Sequence, residues 1–97
     1  MAKMAARRKK VSRKRVAFSF EAPQARRVGI AGDFNEWNAL SHPLKMDEKG
    51  IWKTSFLLPS GTYQYRFLVD DTWQNDPACA ECVANPFGTL NCVRRVE

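Results

Sequence analysis

Two of the three tryptophans, Trp37 in "FNEWN" and Trp73 in "DDTWQND", stand among polar, turn-forming residues and share no alternating pattern with apolar neighbours. An exposed indole offers a flat apolar surface, and polar groups beside it can supply hydrogen bonds. Such a surface suits a ligand with apolar faces and polar edges, of which a pyranose ring is one example. The alternative is that each indole covers one end of the protein core.

Two further side chains could supply the hydrogen bonds. Arg66 lies on the outward side of a predicted strand and carries several N–H donors in a fixed geometry, and Asn91 in the last predicted strand offers both a donor and an acceptor. Taken singly, either could be an ordinary polar surface residue. Acidic residues near the two tryptophans would repel phosphate, which favours a neutral ligand over single-stranded nucleic acid. They are Asp33, Glu36, Asp70, Asp71 and Asp76.

The sequence offers little for catalysis or metal binding. Glycoside cleavage needs two carboxylates that flank the bond in a cleft, and a small sandwich presents a surface instead. Cys79, Cys82 and Cys92 would have to converge with His42 as four metal ligands, and no second C-x-x-C or H-x-x-x-H is present. We therefore predict no catalytic residue, no metal, no cofactor, reduced thiols and a histidine in a loop.

Alternation of apolar and polar residues predicts the strands that position these side chains. The first strand is expected from Arg15. The segments "IWKTSFLL" and "TYQYRFLVD", separated by a short Pro-Gly loop, predict a hairpin whose apolar faces share one core, with Trp52 among the core residues. The segment "NDPACAECVANPFG" is interpreted as a loop. About seven short strands and no sustained helical period predict an all-β, immunoglobulin-like β-sandwich.

The formal charge of +6 of this 97-residue chain is unevenly distributed. Residues 1–15 hold eight of the sixteen Lys and Arg residues and no acidic residue, which leaves residues 16–97 with eight basic and ten acidic residues. We predict a disordered basic tail over residues 1–14 and one folded domain over residues 15–97. The tail could contact nucleic acid, an anionic surface or an acidic partner, or act as a solubilising extension. No apolar run suits a secretory signal or a membrane span, so we expect a cytoplasmic location.

Three motifs, "VGIAGDFNEWN", "GIWKTSFLLPSGTYQYRFLVDDTWQNDP" and "NPFGTLN", closely resemble the glycogen-binding domains of carbohydrate-binding module family 48. These are isoamylase N-terminal-like, or early-set, domains, which occur in branching and debranching enzymes and in the β subunit of AMP-activated protein kinase. The resemblance runs from about Arg15 to Val96. It implies an immunoglobulin-like β-sandwich that binds α-1,4-linked glucan on one surface.

Carried over by motif, the resemblance implies five carbohydrate-binding residues. Trp37 and Trp73 fall on two tryptophans that stack on glucose rings. Arg66 falls on a basic position, usually lysine in the kinase-type domain, and Asn91 falls on an asparagine; both are expected to hydrogen-bond sugar hydroxyls. Phe87 falls on an apolar loop position where the kinase-type domain is expected to have the smaller leucine.

Three functions are considered. The first is a stand-alone, non-catalytic module that binds α-1,4-linked glucan, either glycogen or maltodextrin, with a glycogen-metabolism enzyme or another protein as a further partner. The second is a protein-interaction or regulatory early-set module that keeps the fold without binding glucan. The third is nucleic-acid binding led by the basic tail. The joint presence of Trp37, Trp73, Arg66 and Asn91 favours the first.

Overall fold

The computed structural model describes residues 12–97, so residues 1–11 of the predicted basic tail lie outside the described residues. The described chain forms eight strands, and a single 3-10 turn, Ala39–Ser41, follows the second of them. In chain order the strands are β1 (Arg13–Glu21), β2 (Val28–Gly32), β3 (Lys45–Met46), β4 (Ile51–Pro59), β5 (Gly61–Val69), β6 (Thr72–Gln74), β7 (Cys82–Ala84) and β8 (Leu90–Val96). The all-β prediction is confirmed.

The strands form two sheets in which every paired strand is antiparallel to its neighbour. One sheet has three strands in the order β1-β4-β3. The other has five strands, with the order β2-β5-β8-β7 and with β6 paired to β5. Apolar residues on the facing sides of the two sheets form a single core, which is the arrangement of a β-sandwich.

The predicted hairpin of β4 and β5 is wrong, because these consecutive strands belong to different sheets. At the corner between them, Gly61 has a positive φ of 153°, and the Tyr63 hydroxyl donates a hydrogen bond to the Pro59 carbonyl oxygen at 2.7 Å. Instead of pairing with β5, β4 pairs with β1 along nine residues of each strand. The short Pro-Gly segment therefore carries the chain from one sheet to the other.

The core contains the apolar residues that the alternating pattern predicts to face inward. Phe18 on β1 packs against Tyr65 on β5, with ring centroids 5.1 Å apart. Phe20 packs against Phe67, with ring centroids 5.0 Å apart. Trp52 on β4 is only 8 % exposed, as predicted for a core residue. The apolar faces of β4 and β5 thus share one core, although the two strands do not pair.

Two strand assignments differ from those expected from the sequence. β1 begins at Arg13, two residues before the expected domain start, because its ladder with β4 continues to the Arg13–Pro59 pair. β7, Cys82–Ala84, lies within the segment interpreted as a loop. With three residues it is too short to show an alternating pattern. It lies at the edge of the sheet and pairs with β8. The number of strands is eight instead of about seven.

Within residues 12–97 no helix is long and apolar enough to cross a membrane. The same residues contain no group of three or more His, Cys, Asp or Glu side chains placed to bind a metal ion. His42 lies in the loop before β3, as predicted, with its ring centroid 4.2 Å from that of Phe56. The Asn35 amide nitrogen lies 3.0 Å from its Nδ1. This histidine therefore packs against the aromatic side chains of the core.

One carboxylate organises the turn between β3 and β4. Asp47 Oδ1 accepts hydrogen bonds from the backbone N–H groups of Lys49, at 2.8 Å, and Ile51, at 3.1 Å. Asp47 Oδ2 lies 3.0 Å from Lys53 Nζ. The hydrogen bond from Lys53, followed by that from Ile51, lowers the pKa of Asp47 to about 2. The charged form of this carboxyl group is therefore favoured in the folded protein.

Replacing Asp47 with asparagine is expected to lower the free energy of unfolding near neutral pH and to have little effect near pH 2. A carboxyl group with a lowered folded-state pKa stabilises the fold above its unfolded pKa of about 3.9, and this contribution is lost as the pH falls through the folded value. Urea titrations of the wild-type protein and Asp47→Asn at several pH values measure the difference in free energy of unfolding. Glu48→Gln is the charge-matched control. A difference that stays constant with pH would contradict the prediction.

Candidate functional site

A depression of about 610 Å³ opens on the outward face of the five-stranded sheet. β5, β6 and β8 contribute side chains to it, as do the loop after β2 and the loop between β7 and β8. The lining residues are Asp33, Trp37, Gln64, Arg66, Trp73, Asn85, Pro86, Phe87, Thr89 and Asn91. All five carbohydrate-binding residues predicted from the sequence are among them.

Arg66 lies at the junction of two strands. β8 pairs with β5 over Gly61–Tyr65 and β6 pairs with it over Phe67–Val69, so the two strands follow one edge of β5 and Arg66 lies between them. Arg66 Nε donates to Asn75 Oδ1 at 2.7 Å, and Nη1 donates to Thr89 Oγ1 at 3.2 Å. These bonds fix the guanidinium group. Its second terminal nitrogen, Nη2, makes no hydrogen bond within residues 12–97 and is available to a ligand.

Trp37 reaches the depression from a tight loop after β2. The Gly32 carbonyl oxygen accepts hydrogen bonds from the N–H groups of Asn35, at 3.1 Å, and Trp37, at 3.0 Å. The Asn35 side chain accepts from Gly32 N–H at 3.0 Å and donates to the Ile30 carbonyl oxygen at 2.9 Å. Glu36 and Trp37 have positive φ angles of 56° and 60°, which are uncommon for residues with side chains. Backbone strain of this kind clusters at functional sites. Trp37 itself is 36 % exposed.

Asp33 attaches this loop to β5. Its Oδ1 accepts the indole N–H of Trp37 at 3.3 Å, and its Oδ2 accepts the backbone N–H of Gln64 at 2.8 Å. The Asp33 N–H donates to the Gln64 carbonyl oxygen at 3.0 Å. A Cβ atom at Gly32 would lie 2.6 Å from the same carbonyl oxygen, so this close approach requires glycine. The position of the Trp37 indole is thereby fixed relative to β5.

Trp73 comes from the short hairpin formed by β5 and β6. Asp70 and Asp71 form its two-residue turn with positive φ angles of 46° and 69°, as in a type I′ turn. Asp70 Oδ1 also accepts the backbone N–H groups of Arg26 and Arg27, both at 2.9 Å. The hydrogen bond from Arg27, which has the largest effect, and the one from Arg26 lower the pKa of Asp70. The turn is thus anchored to the chain before β2, and Trp73 on β6 remains 44 % exposed.

The side chain of Asn85 organises the loop between β7 and β8. Its Oδ1 accepts the backbone N–H groups of Phe87 and Thr89, both at 3.0 Å. Its Nδ2 donates to Thr89 Oγ1 at 2.7 Å and to Asn91 Oδ1 at 2.9 Å. These four bonds hold the loop beside the depression. Phe87 at its tip is 87 % exposed, so its ring is free to contact a ligand.

Asn91 lines the depression but is only 7 % exposed. Its Oδ1 accepts the hydrogen bond from Asn85, and its Nδ2 donates to Gln64 Oε1 at 3.0 Å. Part of its hydrogen-bonding capacity is therefore used within the protein. An amide side chain has two N–H donors and two acceptor lone pairs, so one of each remains. Contact between Asn91 and a sugar hydroxyl stays a prediction.

Some lining residues were not identified from the sequence. Gln64 could have been found, because it alternates with Arg66 on the outward face of β5. Asp33 was noted only as an acidic residue near the tryptophans, and Asn85 and Thr89 were not singled out. They act mainly through hydrogen bonds to groups that come close only in the folded chain.

The depression combines aromatic surfaces with hydrogen-bonding groups and little charge. Among the described residues that line it, Asp33 is the one carboxylate, and both of its oxygen atoms accept hydrogen bonds from the protein. Glycoside cleavage uses a pair of carboxylates on either side of the bond, and the depression lacks such a pair. The arrangement is suited to holding a neutral ligand with apolar faces.

Replacing Asn85 with alanine is expected to loosen the β7–β8 loop without unfolding the protein. The change removes the acceptor for two backbone N–H groups, and each net hydrogen bond contributes about 0.5–1.5 kcal/mol. Amide hydrogen exchange should become faster at Phe87 and Thr89. The variant Asn85→Asp keeps the acceptor but loses the donors, so it should retain most of the protection. Unchanged exchange in Asn85→Ala would show that another contact holds the loop.

Parts of known proteins are similar in sequence to this chain. Residues 15–97 match the family model described as the glycogen recognition site of AMP-activated protein kinase. The 1,4-alpha-glucan branching enzyme GlgB of Paraburkholderia xenovorans is 35 % identical over 89 residues, which cover 84 % of this chain and 12 % of the enzyme. GlgB enzymes of Desulfitobacterium hafniense and Corynebacterium jeikeium are 49 % and 44 % identical over 55 residues, which cover 53 % and 56 % of this chain. These two matches cover 8 % of each enzyme, so the chain spans a small part of its relatives.

The family match includes every strand from β2 to β8 and every residue that lines the depression. It agrees with the all-β sandwich seen in the structure and with the resemblance read from the sequence motifs. It extends over most of the described chain and is not confined to one short motif. The chain therefore belongs to the family of glycogen-recognition domains represented by that of AMP-activated protein kinase.

Proposed function

We propose that this chain is a non-catalytic module that binds α-1,4-linked glucan, such as glycogen or maltodextrin, in the depression. The observation that carries the proposal is the presence of two partly exposed indoles, Trp37 and Trp73, beside the fixed guanidinium of Arg66. Membership of a glycogen-recognition family supports the same class of ligand.

Each part of the depression has a role in this proposal. The C–H faces of glucose rings stack on Trp37 and Trp73, and the exposed ring of Phe87 covers a further part of the chain. Arg66 Nη2 and the remaining polar atoms of Gln64 and Asn91 hydrogen-bond the hydroxyl groups. An α-1,4-linked chain curves, whereas a β-1,4-linked chain is extended, so aromatic surfaces around a concave site favour the α-linked polymer.

The affinity is expected to be weak, with a dissociation constant on the order of micromolar to millimolar. The depression is open to solvent, so a few stacked rings leave much of the sugar hydrated. A longer glucan that contacts both tryptophans should bind more tightly than a disaccharide.

The glucan-bound module is proposed to act together with an enzyme of glycogen metabolism. The relatives named above are 1,4-alpha-glucan branching enzymes, and the matched regions are small parts of them. A module of this kind would keep an α-glucan chain close to such an enzyme and raise its local concentration.

Affinity electrophoresis and tryptophan fluorescence test the proposal. The protein has a sequence pI of about 9.6, so it is run towards the cathode in native gels that contain glycogen, maltodextrin or no polysaccharide. Maltoheptaose is then titrated while indole fluorescence is recorded, with a β-1,4-linked glucan oligosaccharide as the matched control. Saturable retardation and a fluorescence change with the α-linked glucans alone are expected.

The absence of any shift at high glucan concentration would overturn the proposal. The alternative considered from the sequence, an early-set module that binds a protein, would then be the function to test. Equal binding of the α- and β-linked chains would contradict the assigned linkage specificity but would retain a carbohydrate-binding role.

A further inference from the structure

Three free thiols lie where β7 meets β8, outside the lining of the depression. Cys82 and Cys92 occupy directly opposite positions on these two antiparallel strands. Beside this pair, the Val93 N–H donates to the Glu81 carbonyl oxygen at 3.0 Å, which makes Cys82 and Cys92 a non-hydrogen-bonded pair. The Cα atoms of such pairs are about 4.5 Å apart, and the side chains share one face. A disulfide bond spans this separation.

We propose that Cys82 and Cys92 form a reversible cross-strand disulfide when the protein meets a low-molecular-weight disulfide such as oxidised glutathione. In the first exchange, the Cys82 thiolate attacks the small disulfide, forms a mixed disulfide and releases one small thiolate. In the second exchange, the Cys92 thiolate attacks the Cys82 sulfur of the mixed disulfide and releases the second small thiolate. Two protein thiols are oxidised, one small disulfide is reduced, and the two protons end on the released thiolates.

The two thiols have different access to the oxidant. β7 is the outer strand of its sheet and Cys82 is exposed, so a small disulfide can reach its sulfur. Cys92 is 0 % exposed and is surrounded by Tyr65, Asp76 and Cys79, and burial raises the pKa of its thiol to about 12. The buried sulfur reacts across the ladder with Cys82, not directly with the oxidant. The second exchange is therefore the slower one.

Cys79 is the competing partner. It lies between β6 and β7 and neighbours Cys92, and its single S–H is shared between the carbonyl oxygens of Glu81, at 3.1 Å, and Val93, at 3.2 Å. A disulfide formed by Cys79 would remove these hydrogen bonds and rearrange the connection. A bond between Cys82 and Cys92 joins strands that are already paired, and for this reason the geometry favours it.

The disulfide would close the chain segment from residue 82 to residue 92, which carries Asn85, Phe87 and Asn91. Its effect on glucan binding rests on the proposed function. Because the closed loop holds Phe87 beside the depression, the oxidised protein is expected to bind maltoheptaose at least as tightly as the reduced protein. Formation of the disulfide itself does not depend on glucan binding.

Disulfide mapping of the full chain after incubation with oxidised glutathione tests the proposal. All three cysteines fall in one tryptic peptide, residues 67–94, so Glu-C is added to cut after Glu81 and chymotrypsin to cut between Cys82 and Cys92. The expected product is a peptide pair joined through Cys82 and Cys92, with Cys79 free to be alkylated. A bond that includes Cys79, or glutathione that remains on Cys82 after long incubation, would overturn the proposal.

Two variants test the pairing of Cys82 with Cys92 without disulfide mapping. Cys79→Ala should still form the bond and should gain about 10 °C in Tm on oxidation, because the closed loop restricts the unfolded chain. Cys82→Ser changes an exposed residue, so it should fold normally and show no gain. A gain in Cys82→Ser, or none in Cys79→Ala, would contradict the pairing. Neither measurement uses glucan, so failure of the glucan-binding proposal would not affect their outcome.

Discussion

Replacing Trp73 with alanine is expected to weaken maltoheptaose binding by about 30-fold, because a central aromatic contact in an interface contributes about 2 kcal/mol. The fold should be retained, since Trp73 lies on a three-residue edge strand and is 44 % exposed. Titration calorimetry or fluorescence measures the affinity, and thermal unfolding followed by circular dichroism measures the stability. An affinity within about twofold of the wild-type value would show that this indole does not contact the glucan.

The same result is expected for Trp37→Ala, which removes the second indole. The loop should persist because Asn35 and Gly32 supply most of its hydrogen bonds, and Trp37 contributes the weaker indole bond to Asp33 at 3.3 Å. Leu57→Ala is the matched control. Leu57 is an exposed apolar residue, 49 % accessible, on β4 in the other sheet, so its loss should leave glucan binding unchanged. Unfolding of Trp37→Ala would assign that tryptophan to the core.

Replacing Trp52 with alanine is expected to lower the free energy of unfolding by about 3–5 kcal/mol, which is typical for a buried large aromatic residue. Trp52 is 8 % exposed and lies opposite Phe20 in the ladder between β1 and β4. The substitution removes the packed ring and the hydrogen bond from its indole N–H to the Ala22 carbonyl oxygen, at 2.8 Å. Small domains are stable by about 5–15 kcal/mol in total, so this loss would remove a large part of the stability of the fold.

Urea denaturation measures this loss, with Trp52→Phe as the matched control. Phenylalanine keeps an aromatic ring in the core but cannot donate to Ala22, so it should cost less than alanine does. A loss below about 1 kcal/mol in Trp52→Ala would contradict the core assignment. Together with the Trp73 variant, this experiment separates a tryptophan that supports the fold from one that is proposed to bind the ligand.

The burial of Trp52 could be predicted from the sequence, whereas the same pattern left open whether Trp37 and Trp73 cover the ends of the core. Trp52 is in phase with the apolar residues of its strand, whereas Trp37 and Trp73 have no such phase and stand among polar residues. In the structure Trp52 is buried and the other two are partly exposed. The alternating pattern is sufficient for Trp52 because alternate residues of a strand point to opposite faces of the sheet, but it makes no statement about residues in turns and loops.

The pairing of strands could not be predicted in the same way. The Pro-Gly segment between β4 and β5 has the composition of a hairpin turn, yet the chain crosses between the sheets there. β4 pairs instead with β1, whose residues are far away in the sequence. A short turn constrains the path of the chain locally, but the choice of partner depends on which distant strand completes the ladder and the core.

The candidate site shows the same limit. Motifs identified Trp37, Arg66, Trp73, Phe87 and Asn91, and the structure brings them to one depression. The motifs did not reveal that Asn91 is largely buried, or that hydrogen bonds from neighbouring side chains use part of its capacity. Burial of a polar side chain depends on which groups cover it, and those groups come from other strands and loops.

The sequence by itself determined the all-β class, the inward and outward faces of the main strands and the family, because alternation and motif order are properties of neighbouring residues. The tertiary structure alone decided which strands pair. It thereby placed Arg66 at the junction of β6 and β8 and Cys82 opposite Cys92. The physical reason is that these relations require groups distant in the sequence to meet, and no local pattern specifies which distant groups will do so.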